Sequence, residues 1–103
     1  MTKLYVAEYS GIASVQTDGA VAVFPQSPTA EQVVDYTAGA AATANPFADS
    51  TEFVELATDA ICSVVFGSAP VATVNNMRMA AGERRLVSVR PGSKLKVSAI
   101  TNT

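Results

Sequence analysis

Residues 85–100 read RLVSVRPGSKLKVSAI, and this stretch decides the fold. Leu95, Val97 and Ala99 alternate with Lys94, Lys96 and Ser98. A period of two puts the apolar set on one face of a strand and leaves Lys94, Lys96 and Ser98 facing outward. Upstream, Arg85, Val87 and Val89 alternate with Leu86, Ser88 and Arg90 in the same way. Pro91 and Gly92 lie between the two runs. Proline presets φ at the second position of a type II turn, and glycine takes the positive φ of the third. Two alternating runs across such a turn predict a β-hairpin.

Working outward, every neighbouring segment reads as β. Ala80-Ala81-Gly82-Glu83 is a turn, and Asn76–Met79 before it alternates as a short strand. Residues 60–66 (AICSVVF) are too short for a helix and rich in β-branched side chains. Gly67 and Pro70 follow, so this is expected to be a buried central strand. Thr51–Ala57 is a further strand, with Asp59 as its turn residue. Leu4–Tyr9, closed by Gly11, and Ala20–Phe24, between Asp18-Gly19 and Pro25, complete the set. From Ser27 the reading is divided. Serine as cap and Pro28 at the first position suit a helix start, whereas Val33-Val34 suits an extended segment. Residues 37–48 (TAGAAATANPFA) are alanine-rich, and Gly39 and Asn45-Pro46 break any helix. A mobile loop or arm that orders on a partner is expected there. The predicted core is Ile61, Val65, Phe66, Val87, Val89, Leu95 and Val97. Phe53 is expected to join it.

The 103 residues make one domain, 49% hydrophobic and only 16% charged, which excludes a disordered chain and a coiled coil. Histidine is absent and there is one cysteine. Serine–histidine and cysteine–histidine sites in their usual form are therefore excluded. So are zinc sites built from histidines or paired cysteines, and an intrachain disulfide. Cys62 lies in an apolar strand, and its expected role is structural. Glu52 and Glu55 are three apart on a strand and point to opposite faces, so they do not form an acid–base pair. Asp49 and Asp59 read as turn caps. No phosphate-loop or calcium-loop spacing occurs. The expectation is a non-enzymatic chain with no cofactor and no metal.

Charge divides along the chain. Residues 1–59 carry eight carboxylates and one lysine, and residues 60–103 carry six cations and one glutamate. Either acidic and basic strands pair with each other, or one face docks on a charged partner. Arg78, Arg84, Arg85 and Arg90 are the candidate contacts for an acidic surface, because guanidinium binds carboxylate through two parallel hydrogen bonds. Arg84 and Arg85 point to opposite faces of their strand. Tyr5 and Tyr9 join the candidates as aromatic rings with polar tips. No aromatic follows Phe66, so the basic segment lacks a stacking platform and nucleic acid is not expected as a partner. Lys3, Glu8 and Asp18 interrupt the first twenty residues, and no run reaches the roughly 18 apolar residues of a membrane span. The chain is expected to stay off membranes and to be made in a cytoplasm.

From Thr51 onward the chain resembles small virion proteins of tailed bacteriophages. The residues that carry the resemblance are TEFVELATDAICSVVFGSAP and NNMRMAAGERRLVSVRPGSKLKVSAI, about half the chain. Small β proteins of this kind serve as capsid decoration, or cement, proteins. The resemblance implies a structural protein on the outside of an icosahedral head, bridging major capsid protein subunits as a dimer or trimer. It also implies localisation to the virion, after assembly in the host cytoplasm. A head–tail connector or tail component is the alternative within the same class. A small carbohydrate- or ligand-binding β module is the alternative outside it. The expected fold is a single small β-sandwich or jelly-roll-like barrel of seven or eight strands, with a flexible loop in its N-terminal half.

Overall fold

A computed structural model of the chain describes residues 2–10, 13–16, 20–23 and 28–103. Gly11, the Asp18-Gly19 turn, Phe24, Pro25 and the Ser27 cap lie outside the described residues. Among the described residues all regular structure is β. The strands are β1 (Lys3–Tyr9), β2 (Ala13–Gln16), β3 (Ala20–Val23), β4 (Ala30–Asp35) and β5 (Ala41–Ala42), then β6 (Phe53–Thr58), β7 (Cys62–Gly67), β8 (Met77–Met79), β9 (Arg84–Ser88) and β10 (Lys96–Thr101). One sheet has the order β4-β1-β6-β9 and the other β5-β10-β7-β8. Every pairing is antiparallel. The fold is the expected small β-sandwich. Among the described residues β2 and β3 pair with each other and with neither four-stranded sheet.

The core follows from the alternation. β1 turns Leu4 and Val6 inward, and β6 turns Val54 and Leu56 inward. Cys62, Val64, Met79, Val97 and Ala99 come from the second sheet to meet them. The Val33-Val34 argument prevails over the helix start, since 30–35 is a strand. There only Val34 is buried, and Val33 faces solvent.

Four expectations are corrected. Residues 85–100 do not form a hairpin, because β9 pairs with β6 in the first sheet and β10 pairs with β7 and β5 in the second. The turn itself forms, with Gly92 at φ 77° and Lys94 also left-handed at 56°. Two left-handed residues within three swing the chain from one sheet to the other instead of folding it back. In β7 the inward set is Cys62, Val64 and Phe66, so Ile61 and Val65 fall on the opposite face from the one expected. Ser98 does not face solvent. Its hydroxyl accepts from the Ala72 amide at 3.0 Å and donates to the Ala41 carbonyl at 3.0 Å, because the loop after β7 covers that face.

The fourth correction concerns residues 37–48, which do not form a structureless arm. Ala41–Ala42 pair with β10. The Thr43 amide donates to the Val97 carbonyl at 2.9 Å, and the Phe47 amide to that of Leu95 at 2.8 Å. Phe47 is buried in the core, edge-on to Phe66 with ring centroids 6.1 Å apart. Phe47→Ala is therefore expected to cost about 3–5 kcal/mol of stability, as for other buried phenylalanines. Chemical denaturation measures it. Hydrogen exchange is expected to find the Thr43 and Phe47 amides protected in the free protein.

Candidate functional site

The outer face of the first sheet is concave. Pairing register sets its rows. Val33, Tyr5, Ala57 and Arg84 lie side by side across β4, β1, β6 and β9. Glu31, Ala7, Glu55 and Leu86 form the next row. The two central strands contribute alanines at the middle of the face, and the larger neighbours stand up around them. The result is an open groove of about 340 Å³ floored by Ala7 and Ala57. Tyr5 is 45% exposed, Val33 54% and Leu86 49%. Half-exposed large apolar side chains on one face of a small domain make the kind of patch that marks an interaction surface.

The rim is charged. Arg84 Nη1 lies 3.4 Å from Glu55 Oε1, with the arginine largely in solvent, so this pair adds little stability. Glu31 is exposed at the β4 side. Asp35, next along β4, accepts from the Thr37 hydroxyl and amide, and these bonds hold its carboxyl below the usual carboxylate range.

The six predicted contact residues do not share one surface. Tyr5 and Arg84 share the groove. Arg85 points to the other face of β9, as its spacing requires, and is tied to Glu83. Glu83 sits below the usual carboxylate range, chiefly because the Ala80 amide donates to it and then because of Arg85. Arg78 lies exposed on β8, its Nε 3.3 Å from the Thr103 carbonyl. Arg90 is exposed at the turn after β9. Tyr9, on the same face of β1 as Tyr5, is only 8% exposed and stacks on Phe53 with ring centroids 4.9 Å apart, so it is covered where Tyr5 is not.

Sequence reasoning missed two buried polar groups. Glu8 is 2% exposed. Its Oε1 accepts from the Ala48 amide at 2.8 Å and the Thr51 hydroxyl at 2.7 Å, and its Oε2 lies 3.4 Å from Gln32 Nε2. The signal was its parity, because Glu8 follows Leu4 and Val6 on the inward side of β1. Tyr36 is fully buried, hydrogen-bonded to the Thr58 hydroxyl at 2.7 Å and the Ala60 carbonyl at 3.1 Å. Among the described residues no group of three or more histidine, cysteine, aspartate or glutamate side chains is placed to hold a metal ion. No helix there is long and apolar enough to cross a membrane.

Comparison of the chain with protein-family models, with curated proteins and with solved structures gives no match.

Two outcomes follow for the buried groups. Glu8→Ala strands the Ala48 amide and the Thr51 hydroxyl in the interior, and is expected to cost about 3 kcal/mol in urea unfolding. Burial pushes the Tyr36 phenol above its ordinary range. Above about pH 10 the unfolded chain releases that proton while the folded chain keeps it, so this contribution to stability is complete below pH 10 and lost as pH rises. Tyr36→Phe is expected to flatten the alkaline fall in melting temperature.

Proposed function

We propose that the chain is a non-enzymatic structural module that attaches to the outer surface of a bacteriophage head and bridges neighbouring major capsid protein subunits. The observation that carries this reading is the apolar outer face of the first sheet, with Tyr5, Val33 and Leu86 half exposed around a shallow groove. A rigid sheet keeps such a face in shape before docking, so little ordering entropy opposes binding. The resemblance of residues 51–100 to small virion proteins supplies the kind of surface it meets. β2 and β3, which among the described residues pair with each other, offer a second contact element. Repetition over many copies adds modest affinities into a large stabilisation of the shell.

The groove's volume also falls within the range of roughly 300–1,000 Å³ typical of small-ligand sites. Tyr5, Glu31 and Glu55 around it suit a polar ligand such as a saccharide. That is the second reading.

Co-sedimentation with heads that lack the chain tests both. Wild type is expected to bind in stoichiometric amounts, and Tyr5→Asp to lower occupancy about tenfold or more at equal concentration, as loss of an interface anchor does. Arg84→Glu is expected to change chiefly the salt dependence, as rim charges do. Failure of the wild-type chain to bind such heads overturns the proposal. Competition by soluble saccharides favours the second reading.

A further inference from the structure

The first sheet ends in two edges of opposite charge, and their backbones are in phase to pair. β4 presents Glu31, Val33 and Asp35 on the outer face of the sheet, and β9 presents Arg84, Leu86 and Ser88. Among the described residues no strand pairs with the outer side of either.

Hydrogen-bond phase is fixed by the bonds just beyond each strand. The Tyr36 amide donates to the Thr2 carbonyl at 3.1 Å, so the even residues of β4 bond to β1. The N–H and C=O groups of Glu31, Val33 and Asp35 then point away from the sheet. On the other edge the Thr58 amide donates to the Glu83 carbonyl and the Val89 amide to that of Glu52, so the odd residues of β9 bond to β6. The groups of Arg84, Leu86 and Ser88 point outward in turn. Three antiparallel pairings separate the two edges, so β4 and β9 run in opposite directions. A second copy placed with its β9 against β4, outer faces aligned, therefore meets it antiparallel.

One register suits the outer-face side chains. With Val33 opposite Leu86, the two half-exposed apolar residues cover each other. Asp35 then faces Arg84, and Glu31 faces Ser88. The competing edge pairings are poorer. β4 against β4, centred on Val33, sets Glu31 against Asp35, acid on acid. β9 against β9, centred on Leu86, sets Arg84 against Ser88 and brings no acid from the second copy. Charges on edge strands ordinarily prevent indiscriminate pairing, and here they reject like edges while matching unlike ones.

We infer that β4 and β9 are the two halves of a head-to-tail interface through which copies of this chain join their first sheets into one. The interface is heterologous, so it closes into a ring or runs on as a filament according to the rotation between copies. It goes beyond attachment to a head, and the isolated chain tests it without any capsid.

The test is the mass in solution, by light scattering and sedimentation, from about 10 µM to about 1 mM, the range in which a weak edge interface saturates. Wild type is expected to rise above 10.6 kDa to a multiple of it. Val33→Pro and Leu86→Pro each remove an outward N–H that the single copy does not use. Each variant alone is expected to stay monomeric. Mixed, they are expected to form a one-to-one heterodimer, because each retains the edge that the other has lost. This rescue also shows that both variants fold. Asp35→Arg and Arg84→Asp are each expected to weaken association at least tenfold, and the doubly exchanged chain to recover it. A wild type that remains monomeric throughout overturns the inference. So does a proline variant that self-associates alone, a mixture that stays monomeric while wild type assembles, or a double exchange that recovers nothing.

Discussion

The buried carboxylate of Glu8 is the interaction on which the sandwich's closure depends. It lies on the inward side of β1, in the position that Leu4 and Val6 occupy further down the strand. An ionised carboxylate there is tolerable only if its lone pairs are met. The Ala48 amide and the Thr51 hydroxyl meet one oxygen, and both belong to the segment that returns from the second sheet to start β6. Gln32 approaches the other oxygen and exchanges two bonds with the Asn45 backbone, at 3.0 and 3.1 Å. One acidic side chain thus ties β1, β4 and residues 45–51 together at the open side of the sandwich. With that segment held, Phe47 stays in the core and Ala41–Ala42 stay beside β10.

Local pattern carried most of the strands, and nonlocal pairing decided what it could not. The alternation in 94–100 and 85–90 is real in both runs, and Gly92 has the positive φ that its turn requires. Whether two such runs pair with each other or enter separate sheets depends on distant partners, Phe53–Ala57 for β9 and Ala41, Ala42 and Cys62–Gly67 for β10. Those partners lie roughly thirty to sixty residues away, and no alternation in 85–100 refers to them. Residues 37–48 failed to read for the same reason. Five consecutive alanine or glycine residues, 38–42, give no phase, and Phe47 is held by a carbonyl from Leu95. In β7 the run Ile61–Phe66 is apolar on both faces, so periodicity alone left its phase undetermined.

The candidate face was legible only in part. Tyr5 was marked by its aromatic ring and polar tip, and Arg84 by its phase opposite Arg85. The groove itself required Ala7 and Ala57 to lie adjacent across β1 and β6, which is a matter of register. Tyr9 shares its face with Tyr5 but stacks on Phe53, its direct cross-strand partner. Two tyrosines four residues apart on one strand face thus have different fates, decided by whether the neighbouring strand opposes an aromatic or an alanine.

The charge split along the chain becomes spatial through strand order. The acidic first half supplies β4, β1 and β6, and the basic second half supplies β9. β1 brings no exposed acid to the outer face, since its Glu8 is buried and its other charge is Lys3. The order β4-β1-β6-β9 sets base against acid at two seams, where Lys3 lies opposite Asp35 and where Arg84 lies 3.4 Å from Glu55 in largely solvated space. Glu31 and Asp35 lie at the far edge, three strand positions away from the arginines of β9. Separation across a sheet about 15 Å wide, four strands at the usual spacing, exceeds the screening length at physiological salt of about 8 Å. Neither edge therefore quiets the other within one copy, and each keeps its own sign toward whatever approaches it.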